Sequence, residues 1–477
     1  MFCDHPPDEK GPVVRQKFEF ASPVSNRRGW VSLLAMLALS VSALAPAQLL
    51  AQDNKEAEVE ADASRKAGNI SWNPKLAFEE WRKLDKERYV NFDRKLGAAS
   101  YTDAEKKALL QHLQNQIYGL TVEQNVDRHH NIIKVIAGAI EGPQTSPAAR
   151  DLILENTLKL VEPLLENEGA NTQPPNVQYS LVLLLASLNS KPANLNARPA
   201  VAAQPYSEIR KPLMKVLLDE KKPISARIIA VRGLERLMRD GDISTVNKSD
   251  IGVALAKALE QKVDNPLARK WYRWKLVDAI GATGRFEETG YRPVMIDALM
   301  GVITNAEDAW EVRTAAARAV SQLPLDQKVN VELVNYCIVQ LLYDLATAYT
   351  ASDKMPPSTW RWSFDNIYLA YRSATANEQN LKHWGLMHLA SPSGRAQIDE
   401  AYKKVVLPVV KPVLEQQALP TLPAAAVKAL GEWLEKNRPA DDKRKVTPQS
   451  PQLPIRDPAK SPATVENRGG PNANPGK

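Results

Sequence analysis

The sequence predicts an all-α protein, a right-handed α-α superhelix of stacked helix pairs with disordered termini. Three observations predict it. Ala and Leu are abundant while aromatics make up only 6% of the 477 residues, which favours helices over strands built from β-branched and aromatic side chains. Prolines number 34 against 21 glycines, and they fall mainly between apolar segments, where they end helices rather than interrupt them. The apolar segments themselves recur at intervals of roughly forty residues, a spacing that belongs to repeated helical units.

Residues 1–52 read as an export segment. Arg27 and Arg28 precede an uncharged stretch from Gly29 to Gln52 with an apolar heart from Leu33 to Leu44. Cleavage contexts with small residues follow at Ala45-Pro46-Ala47 and Leu49-Leu50-Ala51. A cationic flank, an apolar run and a small-residue cleavage context, in that order, make a signal peptide. At about 1.5 Å per residue the same stretch also suffices for an uncleaved anchor across a hydrocarbon core of roughly 30 Å. In both cases the expected address is exported, periplasmic or secreted, and this segment is the one expected membrane contact. Residues 53–70 form a polar linker rich in Glu, Ala and Lys, with too little apolar surface to fold alone.

Residues 71–437 carry the helical pattern. Asn73-Pro74 is expected to open the first helix, with Leu76, Trp81, Leu84 and Tyr89 marking its apolar side toward Leu96. Thr102 with Glu105 three residues on predicts a capping box for a helix to Tyr118, and another helix is expected from about Val126 to Ile140. Breaks such as EGPQTSP, DEKKP and TGRFEETG then separate apolar segments and supply the Gly, Pro and Asp that helix ends require. The stretch from Asn189 to Pro205, rich in Pro, Ala and Asn, is expected to be a surface loop. Residues 438–477 hold prolines from Pro439 to Pro475 and few large apolar side chains, so the tail is expected to be disordered.

Two registers of the repeat agree. The segments from Ala226, Ala268 and Val312 align Arg227, Arg269 and Arg313 at intervals of 42 and 44 residues, and the preceding helices align Leu217, Leu259, Leu299 and Leu341 at 42, 40 and 42. A helix pair exposes an apolar face that only the next pair can cover. These leucines are therefore expected in equivalent buried places, and the arginines as hydrogen-bond donors to neighbouring carbonyls or carboxylates. At these residues, most clearly from Ser207 to Leu345, the chain resembles the HEAT-repeat (armadillo-like) family. That resemblance implies a helical solenoid with a general binding role, and it carries no catalytic residues with it.

Chemistry is harder to find. The formal charge is +7, with about half of the excess after Asn437 and the helical region mixed in sign, so no nucleic-acid partner is expected. Cys3 precedes the export segment and Cys337 sits in an apolar run, which reads as a buried small hydrophobe. Six histidines make no metal motif: His129 and His130 are adjacent, while His383 and His388 are five apart, about 500° of helix rotation. HExxH, CxxC pairs, GxSxG and a P-loop are missing. Asp278, Asp297, Glu311 and Asp365 are carboxylates that could face a cleft, and the clusters Trp271-Tyr272-Arg273-Trp274 and Trp360-Arg361-Trp362-Ser363-Phe364 fit either packing between repeats or contact with peptide or sugar. No catalytic, cofactor-binding or metal residue is assigned, and no cofactor is expected.

The expected function is an exported, non-enzymatic scaffold presenting a helical-repeat surface to a protein partner. Two alternatives remain: an α/α-toroid enzyme acting on polysaccharide, and an anchored structural envelope protein.

Overall fold

Local signals set the helix ends. Thr102 Oγ1 accepts from the Glu105 N–H at 3.3 Å while Glu105 Oε2 accepts from the Thr102 N–H at 3.0 Å, the expected capping box. Asn265 Oδ1 likewise accepts from the N–H groups of Leu267 and Ala268, both at 3.0 Å, with Pro266 in the first helical position. Each such cap satisfies donors that a helix start leaves orphaned. The computed structural model describes residues 72–87, 95–166, 172–351, 357–372, 385–388, 394–416 and 418–457. All belong to the unit Ala57–Lys477, and the export segment and the whole polar linker lie outside them, as do residues 458–477.

The described residues are mostly helical. In order the helices are α1 (Phe78–Glu87), α2 (Asp103–Gly119), α3 (His129–Glu141), α4 (Pro147–Glu166), α5 (Pro175–Ser187), α6 (Arg210–Leu218), α7 (Ile224–Asp240) and α8 (Thr245–Ala258). They continue as α9 (Pro266–Gly281), α10 (Val294–Thr304), α11 (Trp310–Val320), α12 (Val331–Ala351), α13 (Pro357–Tyr371), α14 (Arg395–Ala401), α15 (Leu407–Glu415) and α16 (Ala424–Lys436). Between α14 and α15, residues Tyr402–Val406 widen into a π turn just ahead of Pro408. A proline ring there would meet the carbonyl four residues back in a regular α-helix.

Packing is serial. From α3 onward the odd-numbered helices meet their neighbours two places along: α3 on α5, α5 on α7, then α9, α11, α13 and α15 in turn. Among the even-numbered ones α2 meets α4, and α6, α8, α10 and α12 follow one another in the same way. Close approach within the odd series depends on small residues. A Cβ on Gly233 of α7 would stand 2.9 Å from the Ala186 Cβ of α5, and one on Gly281 of α9 would stand 3.0 Å from the Ala319 Cβ of α11. Both are tighter than packed side chains tolerate. Ala315, Ala316, Ala317 and Ala319 of α11 are all buried.

The aligned leucines behave as expected: Leu217, Leu259, Leu299 and Leu341 are all in the core. The aligned arginines do so only in part. Arg227 and Arg313 are buried, and Arg313 Nε donates to the Ile303 carbonyl at 3.1 Å, the last turn of α10. Arg269 is exposed instead. Its place is taken by Arg273, which donates to the Leu259 carbonyl at 2.6 Å and to both carboxylate oxygens of Asp308 at 2.6 and 2.7 Å. An even period of 43 from Arg227 to Arg313 passes through Lys270, so Arg269 lies one residue off register. One residue is about 100° of rotation, enough to swing the side chain to solvent.

Three further expectations need correction. Asn73-Pro74 does not open a helix; α1 starts at Phe78, because the Lys75 N–H is bonded to Thr121 Oγ1 at 2.9 Å and the Asn73 carbonyl to Gln173 Nε2 at 3.2 Å. The stretch from Asn189 to Pro205 is a small hairpin, β1 (Asn189–Lys191) against β2 (Gln204–Pro205) with a bridge between Asn194 and Val201. Asn194 Oδ1 accepts from the N–H groups of Asn196 and Ala197 to shape the tip. Leu195 and Val201 there are 80% and 55% exposed.

The third correction is the tail. Residues 438–457 are not disordered but strap across α10 and α12. The Asn330 N–H donates to the Val446 carbonyl at 2.7 Å, Ser450 Oγ donates to Asp297 Oδ1 at 2.6 Å, Gln340 Nε2 donates to the Arg456 carbonyl at 2.7 Å, and Arg456 pairs with Asp344. Val446, Ser450 and Leu453 are buried. Averaged composition hides the few apolar residues, and α12 supplies the polar partners that the segment lacks within itself.

Candidate functional site

The two aromatic clusters meet. On α9, Trp271, Trp274, Lys275 and Asp278 are spaced three and four apart and so share a side of the helix. Trp362 and Asp365 of α13 are three apart in the same way. Trp271 and Trp274 stack at 4.8 Å between ring centroids, and Trp274 meets Trp362 edge-on at 4.4 Å and 69°. These rings come from helices on either side of α11. All three indoles are half-buried.

Charges of both signs surround the rings. Lys275 Nζ lies 4.6 Å from the Trp274 ring centroid, a cation-π distance. Arg318 of α11 donates to Asp278 Oδ1 at 2.5 Å. On α7, Glu235 pairs with Arg239 at 2.8 Å. Burial raises the Glu235 carboxyl above its ordinary range and Arg239 opposes that. Burial likewise raises Asp365, opposed by Arg318. Two donors stand out: Trp274 Nε1 and Arg318 Nε are buried and find no acceptor among the described residues. Such groups cost free energy unless an acceptor reaches them.

The repeat explains the placement. Arg232, Lys275, Arg318 and Arg361 follow one another at a constant 43 residues, one on each of α7, α9, α11 and α13. Glu235 and Asp278 are also 43 apart. The even spacing of 43 makes this column legible in the sequence, whereas intervals of 42 and 44 point to Arg269. The meeting of Trp274 with Trp362 was not legible, since it depends on how closely α9 and α13 flank α11.

Other residues with reactive side chains are committed elsewhere. Asp297 accepts from Ser450, and Glu311 pairs with Lys270 at 3.1 Å. Trp360 is buried against Tyr349 and lies outside the cluster. Cys337 is buried, which pushes its thiol up to about 12, far from a nucleophile. His129 is pushed down to about 4 by burial, and its Nδ1 lies 2.9 Å from Ser180 Oγ. That hydroxyl donates to the Asn176 carbonyl at 2.8 Å, so the imidazole N–H, not a base, faces it. A cavity of about 10 Å³ between α2, α3 and α4, lined by His112, Gln116 and Ile136 among others, has room for one water. Among the described residues no group of three or more His, Cys, Asp or Glu could hold a metal ion, and no helix is long and apolar enough to cross a membrane.

Comparison with family models, with curated proteins and with solved structures finds no match for this chain.

Proposed function

We propose that the helical unit is an α-solenoid of HEAT-like pairs, an exported and non-catalytic scaffold that presents its odd-numbered helices to a protein partner. The observation that carries this reading is serial packing: each odd-numbered helix from α3 to α13 rests on the one two places along, so that surface residues recur repeat by repeat as they do in stacked helix pairs. Export rests on Arg27, Arg28 and the uncharged stretch behind them.

The polysaccharide-enzyme reading draws on the same Trp271, Trp274 and Trp362 beside Asp278, Asp365 and Glu235. Two of its carboxylates are already engaged, Asp278 with Arg318 and Glu235 with Arg239, which leaves no evident acid and base pair. The test is capture from an envelope fraction by the tagged chain. One partner at a fixed ratio is expected; reproducible turnover of a polysaccharide by the purified chain, with no partner retained, would replace the scaffold by an enzyme.

A further inference from the structure

The hairpin between α5 and α6 ends in a tip that the fold does not use. Its base is fixed: Arg236 of α7 donates to the Ala186 carbonyl at 2.6 Å and to Asn189 Oδ1, and the Tyr206 N–H donates to the Leu188 carbonyl at 3.0 Å. Paired backbone bonds between Asn194 and Val201, at 2.9 and 3.0 Å, hold the tip in shape. From Pro192 to Ala203 no side chain is buried, yet nine of these twelve residues are Ala, Pro, Leu or Val. Leu195, at 80%, is more exposed than any other large hydrophobic side chain among the described residues. Single exposed apolar residues are ordinary, whereas a prearranged run of them marks a contact surface. The charges of the hairpin are cationic: Lys191 and Arg198 are exposed, and no Asp or Glu occurs from Asn189 to Ser207. Acids begin at the base, with Glu141 bonded to Asn189, Glu208 following Ser207, and Asp151 and Glu155 near Tyr206.

Size and charge together select the occupant. A stable protein interface engages about 20–30 residues a side, more than this tip offers. Strands of three and two residues, one containing Pro205, present no edge for a second copy to pair with. A bilayer has no fixed counter-surface and accepts a narrow wedge, whose aliphatic groups enter the interface while its cations stay among the headgroups. Anionic lipids add attraction for each Lys or Arg. We propose that the hairpin tip docks on an anionic lipid surface, with Leu195 and Val201 inserted and Lys191 and Arg198 against the headgroups. The same surface repels the acids at the base, which confines the contact to the tip. This goes beyond the scaffold reading and stands without it.

A nitrobenzoxadiazole dye on the full chain tests the docking. Cys337 is buried, so Cys3→Ser with Ala200→Cys places a single dye on the exposed tip. Vesicles of phosphatidylcholine mixed with phosphatidylglycerol are expected to brighten the dye and shift its emission to the blue. Phosphatidylcholine alone should bind about tenfold more weakly. Leu195→Asp and Arg198→Glu should each weaken the response about tenfold. Both side chains are exposed, and an unchanged thermal transition checks that the core is spared. A control dye at Lys428→Cys, on a side chain 79% exposed on α16, should stay in water even if the uncharged stretch Gly29 to Gln52 tethers the chain. No response at residue 200, equal response without phosphatidylglycerol, indifference to either substitution, or an equal shift at residue 428 would each overturn the proposal. So would a dye shift that rises with protein concentration in the absence of vesicles, which would assign the tip to a second copy. Loss of an envelope partner on Leu195→Asp, without any response to vesicles, would assign the tip to a protein and leave the scaffold reading standing.

Discussion

At the residue scale, the arginines show how much depends on a single step of register. Arg273 joins three elements: it stands on α9, bonds the Leu259 carbonyl at the end of α8 and clamps Asp308 ahead of α11. Asp308 is almost wholly buried, so losing the guanidinium would strand a charge. Breaking one side of such a pair costs about 3 kcal/mol or more. Arg273→Gln is therefore expected to lower stability by about 3 kcal/mol in urea unfolding. Arg269→Gln, on an exposed side chain, should stay within about 0.5 kcal/mol. Equal effects from both would contradict the assigned roles. The sequence shows Arg at positions 269 and 273 alike, and only the rotation of α9 against α8 distinguishes them.

At the element scale, legibility follows the range of the interaction. The capping box at Thr102 and Glu105 was readable because its partners are three residues apart. The strap of residues 438–457 was not, because Asn330, Gln340, Asp344 and Asp297 lie more than a hundred residues upstream of their partners. Its anchors Val446 and Leu453 are each worth about 1.5–3 kcal/mol when buried. Ending the chain at Asn437 should therefore cost roughly 3–6 kcal/mol from these two side chains alone. Amide hydrogen exchange is expected to quicken in α10 and α12 and to stay unchanged in α2 to α5. Uniform exchange with and without the strap would mean that it adds nothing to the fold. The hairpin from Asn189 is not legible for a related reason: its strands are too short for alternation to register, and it is tied down by Arg236 of α7, which donates to Asn189 Oδ1 in β1.

At the scale of the whole molecule, serial packing makes each apolar face a shared one. Leu259 closes α8 and is buried in the common core. Leu259→Asp places a charge there without a partner, a change that ordinarily removes several kcal/mol. Because α8 packs on α6, α9 and α10, loss of protection in hydrogen exchange should spread through all four helices. Loss confined to α8 would show that neighbouring pairs do not depend on one another. The same serial order places Arg232, Lys275, Arg318 and Arg361 on successive odd-numbered helices.

By itself the sequence determined that the chain is helical, where most helices break, and which leucines are buried, because these follow from composition and from contacts within one helix or one repeat. Only the tertiary structure decided which arginine caps α8, that Trp274 reaches Trp362 across α11, and that residues 438–457 fold back on α12. Those outcomes hang on rotations of about 100° per residue and on partners distant in sequence. A one-residue slip or a few apolar side chains in a polar tail leave almost no trace in a linear pattern.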